Sequence, residues 1–269
     1  MTDAKLSSEP ESSQNVSALF NGSSWKSYLE DFHRNRPGIT EDILAHATGH
    51  PLDPYQWIFE PLPMIGTVLD LACGSSPFAE EFEPGRWIGI DRSTDELARA
   101  RRRGVEPLVR ADAVSLPLIS GAFQGVVCSM AIMLLQPFND VLAEIHRVLV
   151  YGGTAVFMLP GSRPLRAADL LRYVQLMVVV RRTHLSYPND RIMAQPNKHL
   201  TRAGYELVAD ERLRFAYAFT DKSSTALFVD SLYLPSVSQA RMAKASRLAA
   251  RWEGSEIGIP LRRIVIRAV

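Results

Sequence analysis

Between residues 64 and 159 the apolar and polar positions follow two alternating rhythms. Short apolar runs at Thr67–Leu71, Trp87–Ile90, Pro107–Arg110, Gly125–Met130 and Thr154–Leu159 predict strands. Pro77–Phe82, Asp95–Arg103 and the series Val141, Leu142, Ile145, Val148, Leu149 have helical spacing. Ser93, with Glu96 three residues on, has the spacing of a capping box, and Gly152-Gly153 stops the last helix. Strands alternating with helices of about ten residues predict right-handed crossovers and a parallel sheet covered on both faces.

The flanks follow other patterns. Residues 1–18 are rich in Ser, Glu and Gln and predict a flexible tail. Residues 19–62 read as a helical cap with interleaved aromatics, among them Phe20, Trp25, Tyr28, Phe32 and Trp57. In that cap Thr40 is expected to be the N-cap of a helix with Glu41 and Asp42 in its first turn. Residues 63–269 then form the α/β domain. Its second half predicts a long helix over Ala167–Val180, a short one over His199–Ala203, and a strand near Tyr205–Val208 or Leu213–Phe219. Helices around Ser224–Leu232 and Ser238–Arg251 and a last strand at Ile264–Val269 follow.

Composition narrows the function. Of 269 residues, 46% are apolar and 22% charged, as in an ordinary globular protein. A net charge of +1 supplies no long-range attraction to nucleic acid or an anionic membrane. The basic runs at Arg99, Arg101–Arg103 and Arg181-Arg182 read as solvated faces, since no stacking aromatics lie around residues 97–110. Cys73 and Cys128 are the only cysteines, so a reducing compartment is expected, and no Cys/His spacing suggests a metal. The N-terminus has no apolar leader, and Met130–Leu135 and Leu176–Val180 are too short to span a bilayer, which points to the cytoplasm.

In open parallel sheets, ligands lie at the carboxyl ends of the strands. The first strand ends in Asp70-Leu71-Ala72-Cys73-Gly74-Ser75-Ser76-Pro77, where small residues admit a ligand to the backbone. The second ends in Ile90-Asp91-Arg92, with an acid spaced to accept a ribose diol. The third leads to Ala111-Asp112-Ala113, a turn suited to an adenine amino group. Ala72 and Ser76 depart from the glycines a nicotinamide site demands, and no G-x-x-x-x-G-K-S/T loop is present.

Val68 to Gly74, Gly89-Ile90-Asp91, Ala111-Asp112-Ala113 with Leu116-Pro117, and Ile145 to Gly153 together resemble the class I S-adenosylmethionine-dependent methyltransferases of the UbiE-like, small-molecule branch. Tyr151 stands where that family's "RVLxPGG" segment has Pro, and Leu200–Tyr205 is similar to its "LxxAGF" element. The resemblance covers roughly residues 60–210. It implies a doubly wound, mostly parallel seven-stranded sheet in the order 3-2-1-4-5-7-6, with strand seven antiparallel. It also implies S-adenosylmethionine as cofactor. Asp70 and Gly74 would then flank its methionine part and Asp91 would bind the ribose, with Ala72, Cys73 and Arg92 also among the cofactor-binding residues. Asp112 and Ala113 would hold the adenine, with Ser129 and Met130 as the wall beyond.

The acceptor is less legible. The fourth strand ends in Cys128-Ser129-Met130, not in an Asn/Asp-Pro-Pro-aromatic motif, which argues against a nucleobase amine. Met130–Leu135 and a helix carrying Tyr173, Leu176, Met177 and Val180 offer apolar walls for a small apolar or aromatic acceptor. The Leu170–Val180 stripe could equally serve as a homodimer face. His33, His184, Tyr55 and Tyr187 are the candidate bases, if one is needed, for an O-directed transfer. Two other readings share these motifs: an RNA-modifying methyltransferase, and a non-methylating protein that retains the cofactor.

Overall fold

The computed structural model describes residues 22–49 and 51–269; the expected tail 1–18 and Phe20 lie outside the described residues. The chain opens with α1 (Gly22–Asn35), α2 (Ile39–Ala45), a two-residue strand β1 (Ala47–Thr48) and α3 (Pro54–Phe59). Asp53 caps α3 by accepting from the backbone N–H of Tyr55 and Gln56, with Pro54 at the first helical position. α2 does not start on Thr40. Its N-cap is Gly38 in a left-handed conformation, φ +77°, because the Gly38 N–H is taken by the Glu96 carboxylate at 2.8 Å.

The alternating region supplies β2 (Val68–Leu71), β3 (Trp87–Asp91), α4 (Thr94–Arg102), β4 (Leu108–Arg110), β5 (Phe123–Ser129), α5 (Phe138–Val148) and β6 (Leu149–Pro160). The expected helix at Pro77–Phe82 is only a 3-10 turn at Ala79–Glu81. Ser93 caps α4 by accepting from Glu96 N–H, but the box is not reciprocal. Glu96 spends its carboxylate on Gly38 and His33, and Ser93 N–H turns to Asp91. Next come α6 (Ala167–Val180), α7 (Asp190–Ala194), α8 (Asn197–Arg202), β7 (Tyr205–Ala218), α9 (Lys222–Asp230), α10 (Gln239–Ala249) and β8 (Glu256–Ala268).

The sheet order is β1-β7-β8-β6-β5-β2-β3-β4. The strands from β2 onward keep the expected order, but the sheet has eight strands rather than seven. The extra one is β1, which pairs antiparallel with β7 through Ala47 and Thr48 and covers part of its free edge. β8 runs antiparallel to both β6 and β7, and the remaining pairs are parallel. The two candidate strands at 205–208 and 213–219 are one long strand, with a register shift between Leu207 and Ala209.

Every residue of β2 is buried, as a central parallel strand requires. Trp25, Phe32 and Ile39 of the leading segment belong to the same core cluster as Leu69, Val126 and Ile145. Each such fully buried large side chain contributes about 1.5–3 kcal/mol. Tyr173, Leu176, Met177 and Val180 of α6 pack into a second cluster with Phe228 and Ala245, while Leu170, Leu171, Val174 and Val178 are exposed. No helix among the described residues is long and apolar enough to cross a membrane.

Candidate cofactor site

The carboxyl ends of β2, β3, β4 and β5 open on one cleft of ≈ 1150 Å³, and α1 forms the facing wall. α4 holds that wall in place. Glu96 bonds His33 Nδ1 at 2.7 Å, and Arg99 donates to Asp42 at 2.6 Å and to the carbonyl of Pro37. The α1–α2 turn is thereby clamped over the strand ends.

The loop after β2 has a glycine-like backbone at alternate positions. Ala72, Gly74 and Ser76 have φ of +56°, +56° and +58°. Only Gly adopts this region freely, and each L-residue there costs roughly 1–2 kcal/mol. Ala72 and Ser76 thus keep the shape the missing outer glycines would give, at a cost in stability. Asp91 braces the loop from β3. Its carboxylate accepts from Gly74 N–H at 2.9 Å and from Ser93 N–H at 2.7 Å. Burial pushes the Asp91 carboxyl above its usual range, and those two N–H groups pull the other way.

Eight of the expected cofactor residues line the cleft: Ala72, Gly74, Asp91, Arg92, Asp112, Ala113, Ser129 and Met130. Asp112 is exposed and accepts from Val114 N–H at 3.3 Å, which fixes its turn. Asp70 and Cys73 do not reach the cleft. The Asp70 carboxyl is fully buried beneath the loop, and no group meets it in hydrogen-bonding geometry. Burial first, then repulsion from Asp91 and Glu41, hold it well above the carboxylate range. Cys73 turns its thiol into a cluster with Trp87 and Leu97, and burial raises it in the same way.

Of the four candidate bases only His33 lines the cleft. Burial alone would lower its pKa, but the Glu96 hydrogen bond and charge outweigh this and raise it. Its Nε2 lies 3.2 Å from the Tyr233 hydroxyl, which also faces the cleft. Tyr55 donates to the Glu41 carbonyl at 3.0 Å and packs edge-on to Phe78. Tyr187 joins an aromatic cluster with Trp25 and Tyr233, and His184 is exposed beside Thr183. The α6 wall is also absent, because its apolar residues face α10 rather than the cleft. Met130, Ala131, Leu134 and Leu135 do line it.

Glu41, Glu96 and Tyr233 were not singled out from the sequence as site residues. Glu41 and Glu96 look like ordinary first-turn helix acids, and Tyr233 stands 200 positions from His33. No local pattern marks them.

Residues 69–157 match the family model described as a methyltransferase domain. The matched stretch runs from within β2 to within β6, and so contains Asp70, Gly74, Asp91, Asp112 and Met130. The malonyl-[acyl-carrier protein] O-methyltransferase of Alcanivorax borkumensis is 38% identical over 128 residues, 44% of this chain and 42% of that protein. The demethylmenaquinone methyltransferase of Thermus thermophilus is 36% identical over 100 residues, 34% of this chain and 46% of that one. The chain thus matches less than half the length of these relatives. Among solved structures, the [4+2]-cyclase SpnF superposes with a TM-score of 0.58 at 17% identity, covering 91% of this chain and 96% of its own. A putative methyltransferase from Bacillus halodurans gives 0.51 at 18% identity, covering 80% and 97%. These likenesses establish the fold of the domain.

The cofactor that goes with this domain is S-adenosylmethionine, and the residues fit it. Gly74 presents bare backbone to the cleft, Asp91 lines it at the end of β3, and the surrounding acids suit a cationic ligand better than a phosphate.

Proposed function

We propose that the protein is a cytoplasmic S-adenosylmethionine-dependent methyltransferase acting on a small apolar or aromatic molecule, with transfer to oxygen favoured. The observation that carries this reading is the composition of the single cleft. Its strand-end part is polar and acidic, and it continues into a chamber walled by Trp25, Leu29, Met130, Leu134, Leu135 and Val141. When bound, the cofactor supplies a methyl group already activated on a sulfonium.

The chain's own residues then have three tasks. Asp91 and the loop at Ala72–Ser76 fix the cofactor, and the apolar chamber aligns the acceptor and excludes water. His33 takes the acceptor's proton, directly or through Tyr233. Glu96 at 2.7 Å from Nδ1 orients the ring and leaves Nε2 as the accepting nitrogen. The curated relatives named above are O- and quinone-directed methyltransferases, which agrees with such an acceptor.

An RNA substrate is disfavoured by what the basic residues do. Arg99 ties α4 to α2, and Arg103 donates to the Ser75 carbonyl at 3.1 Å. The likeness to a cyclase keeps a non-methylating use of the site as the second reading. Incubation with methyl-labelled cofactor and fractionated small molecules, RNA and protein decides among them. Label in the small-molecule fraction, with S-adenosylhomocysteine released, supports the proposal. Label in RNA, or no turnover at all, refutes it. Asp91→Ala should weaken cofactor binding by about tenfold or more in calorimetry, since the diol loses a charged acceptor. The exposed stripe Leu170, Leu171, Val174 and Val178 is the face a second copy would use, and sedimentation tests this.

A further inference from the structure

The strand-end acids do not account for Glu41. It comes from the first turn of α2, outside the sheet, and reaches the loop after β2 from above. Its Oε1 accepts from Ser75 N–H at 3.3 Å and would lie 2.0 Å from a Cβ at position 74. Only a glycine leaves room for this carboxylate. Its Oε2 is shut off from solvent and has no hydrogen-bond partner. A buried carboxylate oxygen left unpaired is costly, so a partner that arrives with the ligand would remove a standing penalty.

The surroundings define that partner. Glu41, Asp70, Asp91 and Glu96 converge on this corner, and repulsion among them adds to burial in raising the carboxyls of Glu41, Asp70 and Asp91. Three cations that hold the α1–α2 turn and this loop in place are already engaged. His33 is paired with Glu96, Arg99 with Asp42 and the Pro37 carbonyl, and Arg103 with the Ser75 carbonyl and Glu80. The corner therefore has an excess of negative charge and one enclosed acceptor aimed at no donor. An anion would be repelled from it, whereas a compact cation with several N–H donors satisfies both deficits.

Resting on the cofactor reading above, we propose that Glu41 receives the α-ammonium of S-adenosylmethionine and makes the amino-acid end of the cofactor the part selected by the α1–α2 segment. The geometry orders the loop accordingly. Asp91 takes the Gly74 N–H from the ribose side, and Glu41 takes the N–H one residue further on, where the methionine part lies.

Calorimetry with two ligands tests this without any acceptor. S-adenosylhomocysteine carries the ammonium; 5′-methylthioadenosine keeps the nucleoside and thioether but lacks the amino-acid end. Glu41→Gln should bind S-adenosylhomocysteine at least about tenfold more weakly than the wild type, the loss of one charge-assisted bond. Its affinity for 5′-methylthioadenosine should stay within about twofold, which also reports that the variant is folded. The desamino analogue of S-adenosylhomocysteine should bind the wild type at least about tenfold more weakly than the parent compound, and should lose nothing further on Glu41→Gln. Unchanged or tighter binding of S-adenosylhomocysteine by the variant would overturn the proposal, as would an equal loss for both ligands. If the variant does not fold, equal affinity of the wild type for the desamino and parent compounds overturns it instead. A wild type that binds neither nucleoside refutes the cofactor reading itself and, with it, this assignment.

Discussion

Replacing Glu41 with Gln should stabilise the ligand-free protein above neutral pH and leave it nearly unchanged in acid. Burial first, and repulsion from Glu96 second, push the Glu41 carboxyl from 4.5 up to about 7. The sign follows from which state loses its proton first. The unfolded chain ionises Glu41 from about pH 4.5 upward, while the folded protein holds the proton until about 7, so folding is progressively penalised across that window. A gap of about 2.5 pH units at 1.36 kcal/mol each amounts to about 3 kcal/mol at pH 8 and almost nothing at pH 4. Gln carries no charge and can still accept from Ser75 N–H, so it removes the penalty and keeps the contact. Urea unfolding of both proteins at pH 4, 6 and 8, followed by tryptophan fluorescence, measures the difference. The variant's advantage should grow with pH to about 3 kcal/mol, against a typical total of 5–15 kcal/mol. A variant that is less stable at pH 8, or an advantage that does not change with pH, would show the carboxylate to be a settled structural partner and refute the reasoning.

Three further outcomes are expected. Burial would raise the Asp169 carboxyl, but the bidentate Arg214 and the N–H groups of Arg166 and Gly258 hold it at about 2. Asp169→Asn should therefore cost about 2 kcal/mol at pH 7 in denaturant titrations, with the difference fading as pH falls below 3.8 through about 2; a constant difference would contradict the assignment. Ala72→Gly should stabilise by roughly 0.5 kcal/mol, since relief of the left-handed backbone exceeds the added entropy of the unfolded chain; a thermal midpoint that falls by several degrees would count against it. His33→Gln should lower kcat on the label-accepting fraction by about 10²–10⁴ while leaving S-adenosylhomocysteine affinity intact; an unaltered kcat would remove His33 from the chemistry.

The legible parts of the site were those built within one strand and the turn after it. Asp91 and Gly74 stand at fixed distances from short apolar runs, so their arrival at one edge follows from the crossover rule. Asp70 was misplaced because strand alternation decides which face a side chain takes, and a fully buried central strand shows no polar face in its pattern. Glu41 and Tyr233 reach the cleft only through distant contacts. One depends on Glu96 and Arg99 clamping the α1–α2 turn, the other on a hydroxyl meeting a ring 200 residues away. α6 has apolar residues all round, and its sequence alone does not say which of them meets α10. The split prediction for β7 has a similar origin. Its middle, Asp210–Leu213, is exposed while its backbone pairs with β8, so no apolar run marks it as strand.

The position of β8 between β6 and β7 sets an order of events during synthesis. The parallel part of the sheet, β2 to β6, is available once residue 160 has emerged, and its contacts are mostly between neighbours in the chain. β7 emerges later with both long edges unpaired except where Ala47 and Thr48 meet it, and it must wait for Glu256–Ala268. A strand in that state is a template for pairing with other chains. The charges at Glu206, Asp210, Glu211, Arg212 and Arg214, three of which pair with Arg262, Arg263 and Asp169 in the finished sheet, also keep that waiting strand soluble until its partner arrives.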